Sequence, residues 1–532
     1  MHPLGACIVA CTFLAIPGHL WAQDCNSHEQ SLEGLSIVEV TIDNGDIFDL
    51  EQEDQNLLIH RWANNLHIKT QKKTIGNQLL FNPEEGYSKR LIKETERLLR
   101  ARDYIHDAKI TAEEVCGEGV KLTVSTTDNW TLSPSISASH SGGETRTSFE
   151  LEETNLLGLG TELKILSESD EERDSDAFVF RDSNWLGNFK ILRLELADNN
   201  DGHLYKATLN RPFIKQDSNY AWSIRASSVE KENPVYEQGE EIGNVGEENE
   251  LLRLSYGWSE GLVDGSVSRY RLGWLANRLR YQTVDNPNLE LAEDVDKSYP
   301  FLEYEYLKLK YVEKINFRVM GITEDIKLGN SLITRIGWKD EAYQSTQEGY
   351  VFDFKYNFGS FITPHTLGIF DLWLNHESNK TIDDTGRFVM KGKLHNFRGT
   401  SNSYVFSSKL EAMQNPELFD RIEVGGDSGL KGYPVRFQNG DRALALSAER
   451  RAYFNVYLWQ LVKFGFAVFG EAGSAWNSGD NPVWLSDVGV GLRLISTRQS
   501  SSKVLHIDIA YPLSENEEID DYQFFVKAKS EF

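Results

Sequence analysis

Long apolar runs are missing from this chain. Beyond the first two dozen residues no stretch approaches the roughly 18 apolar residues that a membrane-spanning helix requires, and mean hydropathy is -0.44. Any membrane-spanning part must therefore be built from strands, which satisfy their backbone groups in lipid only as a closed barrel. Proline is scarce, 13 among 532 residues, so little in the composition interrupts pleated segments. Cations are short as well: 55 Lys and Arg face 81 Asp and Glu, a formal net charge of -26. That balance argues against a nucleic-acid partner, whose phosphates demand a basic surface. Only four cysteines occur, no His/Cys cluster has zinc spacing, no glycine-rich loop ends in Lys-Ser or Lys-Thr, and His-Glu-x-x-His is absent. No metal, no cofactor and no catalytic constellation is expected.

What the chain does have is aromatic side chains, 11% of residues, and glycine, 41 of them. Both suit many strands joined by tight turns and rimmed by aromatics. The length implies several domains unless one is a large barrel. Residues 1–22 read as a secretory signal, with an apolar run Ala6 to Ile16, a helix-breaking Pro17-Gly18 and a cleavage point after Ala22. Removing it discards Cys7 and Cys11. Cys25 and Cys116 then remain as a pair in an oxidising compartment, where a disulfide between them is expected. The segments Ser167 to Asp176 and Glu230 to Glu250 are acidic and read as solvated, turn-like loops rather than cation sites.

After a tail at 23–34, residues 35–128 mix two periods. Val38 to Ile42 is β-branched, Gln55 to Leu66 reads as a helix, and Ser88 to Arg102 places Leu91, Thr95, Leu98 and Leu99 on one helical face. Strands follow at Tyr104 to Thr111 and Gly119 to Ser125, giving the order β-α-α-β-β. That order is similar to a POTRA domain, a periplasmic module.

From residue 129 to 532 the helical period disappears and alternating segments recur. In Leu505 to Leu513, residues Leu505, Ile507, Ile509, Tyr511 and Leu513 share one face, with His506, Asp508 and Ala510 on the other. Val488, Val490, Leu492 and Leu494 repeat the pattern. Alternation alone does not separate a soluble sandwich from a barrel with a polar lumen. In the last segment Tyr522, Phe524, Val526, Ala528 and Phe532 alternate with Gln523, Phe525, Lys527, Lys529 and Glu531, and closing on Phe532 resembles the sorting signal of bacterial outer-membrane barrels. A direct tally of segments is nearer twenty than sixteen, with those between Phe178 and Phe213 expected to extend longer strands or to lie outside the barrel. The number should be even for an antiparallel closure.

One glycine-rich run carries the most information: Val424-Gly425-Gly426-Asp427-Ser428-Gly429-Leu430-Lys431-Gly432-Tyr433-Pro434. Taken as Gly426 to Gly429 it resembles the nucleophile loop of trypsin-like proteases. Leu430-Lys431 follows where that motif has Gly-Pro, however, and no Ala-Ala-His-Cys segment supplies a base. Taken as Leu430-Lys431-Gly432-Tyr433 it resembles the lumenal loop motif of the outer-membrane assembly and two-partner-secretion barrels, the bacterial surface antigen superfamily. In that superfamily an Arg of the loop meets acids on the next two strands. The counterparts here are Glu449, in Ala443 to Arg450, and Glu471, in Phe469-Gly470-Glu471-Ala472-Gly473. Lys431 replaces the Arg and Glu471 replaces an Asp. A Lys lacks the guanidinium fork, so the expectation is a point contact from Lys431 to Glu471 with Glu449 nearby, and Gly429 and Gly432 permitting the turn. The segment Glu152 to Gly160 resembles the turn after the barrel's second strand.

The resemblance, over residues 35–532, implies an antiparallel transmembrane β-barrel of sixteen strands with a lumenal loop over 415–442 and one POTRA-like α+β domain. It implies non-covalent work at the bacterial outer membrane: inserting or translocating client polypeptides that the POTRA-like domain, in the periplasm, receives by strand addition. Membrane lipid and unfolded or secreted clients would be the partners, with periplasmic chaperones or accessory lipoproteins as further ones. A transporter of one dedicated passenger, and a passive pore or structural surface antigen, are the alternatives. The first barrel strand, Leu132 to His140, alternates serine and carries Pro134, which has no N–H for a ladder and belongs at an edge. A seam that opens between first and last strands would let a client strand pair there.

Overall fold

A computed structural model describes residues 32–532 apart from 116–118, 142–143, 171–172, 238–239, 290, 292, 417–419, 501–502, 515–521, 530 and 532. The signal segment, Cys25, Cys116 and Phe532 lie outside the described residues.

The N-terminal part is a three-stranded mixed sheet with helices on one side. Its elements are β1 (Ile37–Gly45), α1 (Leu58–Leu66), α2 (Lys72–Gly76), α3 (Lys89–Arg100), β2 (Ile105–Val115) and β3 (Gly119–Asp128). β3 is central, parallel to β1 and antiparallel to β2. Its alternate residues Val120, Leu122 and Val124 are fully buried against Leu91, Ile92 and Leu99 of α3. The 3.6-residue period of α3 and the two-residue period of β3 thus meet in one core. The short α2 was not evident from periodicity, being little more than one turn.

The rest is a wall of antiparallel strands. It begins with β4 (Leu132–Ser141), β5 (Glu144–Glu153), β6 (Thr161–Ser169), β7 (Asp174–Asp182), β8 (Ile191–Asn199), β9 (Gly202–Arg211), β10 (Tyr220–Glu237) and β11 (Glu240–Val263). It continues through β12 (Ser266–Thr283), β13 (Val295–Ile315), β14 (Thr323–Lys339), β15 (Gly349–Thr363), β16 (Thr366–Glu377), β17 (Thr385–Arg398) and β18 (Asn402–Gln414). A loop holding β19 (Ile422–Val424) and β20 (Gln438–Gly440), which pair only with each other, precedes β21 (Arg442–Leu458), β22 (Val462–Trp476), β23 (Leu485–Ser496), β24 (Val504–Pro512) and β25 (Gln523–Lys529). β25 lies beside β4 and closes the ring at twenty strands.

Twenty corrects the sixteen implied by resemblance. β7, β8 and β9 are not extensions or outliers: each pairs along its length with both neighbours. The acidic stretch Glu230 to Glu250 is corrected too. It forms the distal arms of β10 and β11, paired from Glu230↔Glu248 to Glu237↔Glu240, so it is a projecting hairpin rather than a loop.

The distribution of polarity resolves what alternation left open. Large apolar residues point out of the ring, as at Ile336, Trp338, Phe406, Val468 and Ile509. Charges are buried inside it: Glu303 accepts from Arg271 at 2.7 Å and Arg335 at 2.8 Å, across β12, β13 and β14. A soluble sandwich would reverse this, whereas an apolar belt around a polar lumen is the arrangement lipid requires. Connections at the end carrying the small sheet run from two residues, Asp264–Gly265 between β11 and β12, to eight, while those at the other end include the long loop between β18 and β21.

Candidate functional site

The β18–β21 loop enters the lumen and docks on β22 and β23. Its backbone closes on itself through Gly425 N–H to Gly429 O (2.9 Å) and Gly426 N–H to Tyr433 O (3.0 Å). Gly429 sits at φ +118°, a region that side chains avoid. Gly432 is needed for a different reason: a Cβ there would come within 2.7 Å of Asp487 Cβ. Apolar residues of the loop, Ile422, Val424, Leu430 and Tyr433, share a buried cluster with Ala443, Ala475 and Leu485 of the wall.

Lys431 then meets Glu471 twice. Its Nζ lies 2.9 Å from Oε1, and its backbone N–H donates to Oε2 at 2.9 Å. The second donor that an Arg fork would supply thus comes from the residue's own amide. The ammonium also lies 3.8 Å from the centre of the Phe469 ring, a cation–π contact. The next amide, Gly432 N–H, donates to Asp487 Oδ2 at 2.8 Å. Glu471 and Asp487 are cross-strand partners, so one turn of loop presents two amides and one ammonium to two adjacent carboxylates. Tyr433 completes the dock by donating to Ser486 O at 2.9 Å. Gly473, across the ladder from Ala445, leaves room for Leu430, whose Cδ1 would lie 3.3 Å from a Cβ there.

Sequence reasoning missed Asp487 and Ser486. The signal was an aspartate one residue before the apolar alternation Val488, Val490, Leu492, on the opposite face.

Glu449, expected near the Lys431–Glu471 contact, is bound directly by other cations. It accepts from Arg451 at 2.9 Å and stands 3.6 Å from Arg493, which pairs with Asp508. Alternation placed Glu449 in the lumen correctly, but two nearer cations on β21 and β23 take it.

Arg451 also helps hold a second inward element that the sequence did not reveal. The connection between β13 and β14, residues 316–322, folds into the lumen from the opposite mouth. Met320 packs on Ala467, Ile495 and Val504, and Phe317 on Ile326, Leu328 and Leu367. Arg451 and Tyr453 donate to the carbonyls of Phe317 (3.5 Å) and Asn316 (3.2 Å). Glu324 accepts from the N–H groups of Arg318 (2.7 Å) and Val319 (3.0 Å). Between the two inward elements lies a cavity of about 650 Å³ bordered by Phe317, Lys327, Lys391, Leu430 and Glu471.

The N-terminal sheet and helices sit against this same mouth. Arg100 of α3 bonds Asp325 of β14 at 2.8 Å and Glu313 of β13 at 3.2 Å, while Arg90 pairs with Asp217 at 2.5 Å. The Glu152 to Gly160 motif is part of that contact. Gly158 O accepts from Thr74 Oγ1 (2.8 Å) and Gln71 N–H (3.0 Å), and Asn155 Nδ2 donates to Thr70 Oγ1 (2.8 Å). A Cβ on Gly158 would reach within 2.6 Å of Lys69 O.

Ser428 lies in a short 3-10 turn, exposed, and among the described residues no histidine hydrogen-bonds it. Pro134 faces outward on β4 opposite Leu151, and Tyr522 and Phe524 are exposed on the outside at β25.

No protein-family model and no curated protein matches the chain. Among solved structures it is similar to BamA from Haemophilus ducreyi lacking POTRA domains 1–3, at a TM-score of 0.41 and 11% identity, over 92% of this chain and 84% of that one. It is also similar to CdiB from Acinetobacter baumannii, at a TM-score of 0.46 and 10% identity, over 92% of this chain and 73% of that one. CdiB from Escherichia coli gives a TM-score of 0.46 and 10% identity, over 92% and 76%.

Proposed function

We propose that the chain inserts or translocates polypeptide at a bacterial outer membrane, without covalent chemistry. The unit over 35–128 acts on the periplasmic side, where β1 and β2, as the outer strands of its sheet, offer edges to an extended client. The barrel supplies the route, through the lumen or along the β4–β25 seam at Pro134. The observation that carries this reading is the lumen itself. It is filled from both mouths by elements bound to the wall through charged and backbone hydrogen bonds. A passive pore gains nothing from two such elements, whereas a conduit that must stay sealed until a client arrives needs them. The loop motif and the terminal alternation support the same reading by resemblance.

Depleting the protein and comparing the outer-membrane and secreted proteomes tests it. Broad loss of barrels indicates insertion, and loss of one secreted protein indicates a dedicated exporter. If neither proteome changes and the purified protein conducts steadily in planar bilayers, the proposal fails in favour of a passive pore.

A further inference from the structure

Helix α1 is built inside out for a soluble domain. Its polar side faces its own fold: His60 is fully buried, stacks on Phe48 at 4.2 Å and bonds Trp459 O at 2.7 Å, and Asn64 bonds the Phe48 backbone through both amide atoms, at 3.1 and 2.8 Å. Its apolar side faces away. Leu58, Trp62 and Leu66, spaced four apart on one stripe, are 69%, 63% and 70% exposed, and Ile59 beside them 47%. Amphipathic helices of globular domains turn the apolar stripe inward. Such a reversal marks a surface with a partner.

The position of the stripe identifies the partner. Through His60 the helix is fixed to the β21–β22 turn, where Trp459, Val456 and Phe454 are themselves exposed on the outside of the barrel. An apolar cavity of about 360 Å³ joins Ile59, Trp62 and Leu66 of the helix to Trp130, Leu132 and Pro134 at the start of β4. The helix face is therefore continuous with the barrel's apolar belt. Exposed cations lie near it in sequence, Arg61 within the helix and Lys69, Lys72 and Lys73 after it, Lys69 standing 3.4 Å from Asp46, in a chain whose net charge is -26. Apolar residues on one stripe with Lys and Arg alongside are what a helix lying in a headgroup layer presents.

We propose that α1 lies in the periplasmic leaflet of the bilayer around the barrel, with Leu58, Trp62 and Leu66 among the acyl chains and the nearby cations on lipid phosphates. This rests on the membrane reading of the barrel. The helix would anchor the N-terminal unit beside the first strand, next to the seam.

The test uses the full chain with Cys7, Cys11, Cys25 and Cys116 each replaced by serine, folded into bilayers of phosphatidylethanolamine and phosphatidylglycerol. Nitroxides are placed by Trp62→Cys or Leu66→Cys, by Lys109→Cys at an exposed position of β2, and by Leu446→Cys on the barrel exterior. Collisions with oxygen, which partitions into lipid, are compared with those of a water-soluble nickel chelate. Labels at 62 and 66 are expected to favour oxygen as the label at 446 does, while that at 109 favours nickel. Nickel preference at 62 and 66, or shielding from both probes as under a protein partner, with 446 still in lipid, would overturn the proposal. Nickel preference at 446 as well would overturn the membrane reading itself.

Discussion

At the scale of single residues, the dock of the lumenal loop depends on how few donors can satisfy two adjacent carboxylates. Lys431 and Gly432 supply three, and the wall supplies Phe469 beneath the ammonium. Removing Lys431 leaves Glu471 buried beside Asp487, and breaking a buried pair in this way costs on the order of 3–5 kcal/mol. A cycle of Lys431→Ala, Glu471→Ala and the double variant, read by urea unfolding from lipid vesicles, is expected to show coupling of about 1–3 kcal/mol. Additive effects would show that the loop is held by other contacts. In the N-terminal unit His106 of β2 has its pKa pushed down to about 4, by burial first and the Arg498 charge second. The folded protein therefore keeps it neutral while the unfolded chain takes up a proton near pH 6.5. This contribution to stability is whole above that pH and is lost progressively toward about 4. Acid titration of the unfolding midpoint should fall through this window, and His106→Gln should flatten the fall.

At the scale of elements, legibility followed length and period. α3, β3 and the wall strands from β21 to β25 each run seven residues or more with one clean period, and their faces could be assigned before any fold was known. Glu449 and Glu471 were placed in the lumen by the same alternation. What alternation does not contain is distance across the ring, so the loss of Glu449 to Arg451 and Arg493 was invisible. Residues 316–322 were hidden for a further reason. Asn-Phe-Arg-Val-Met-Gly-Ile alternates like a strand, and only the left-handed Asn316 (φ +62°) and Gly321 (φ +75°) turn it inward. A connection rich in apolar residues where neighbouring turns are short and polar was the available clue. Because this element and the 415–442 loop obstruct the lumen in series, removing either alone should leave planar-bilayer conductance low. Replacing both 316–322 and 428–434 by short glycine-serine links should raise it well beyond the sum of the single changes. High conductance from one replacement would mean that the other does not seal.

At the scale of the whole molecule, the N-terminal unit is held on the barrel mouth partly by ion pairs, Arg100 with Asp325 and Glu313, Arg90 with Asp217, and a looser Arg181 to Asp103 contact at 3.7 Å. Partly exposed pairs are screened by salt. Pulsed-EPR distances between a label at Lys109 and one at Thr363 are expected to broaden as ionic strength rises, and to be broad at low salt in Arg100→Ala with Arg90→Ala. Distances indifferent to both would mean that hydrogen bonds, those of the Glu152 to Gly160 turn and of His60 among them, suffice to hold the unit. Arg100 is also placed to do more than fasten. Glu313 and Asp325, which it grips, are opposite one another on the two arms of a single hairpin, and the tip of that hairpin carries Phe317 and Met320 into the lumen. Handle and stopper are therefore one piece, and a client that levers the unit away from the mouth would draw the stopper without having to enter the barrel first.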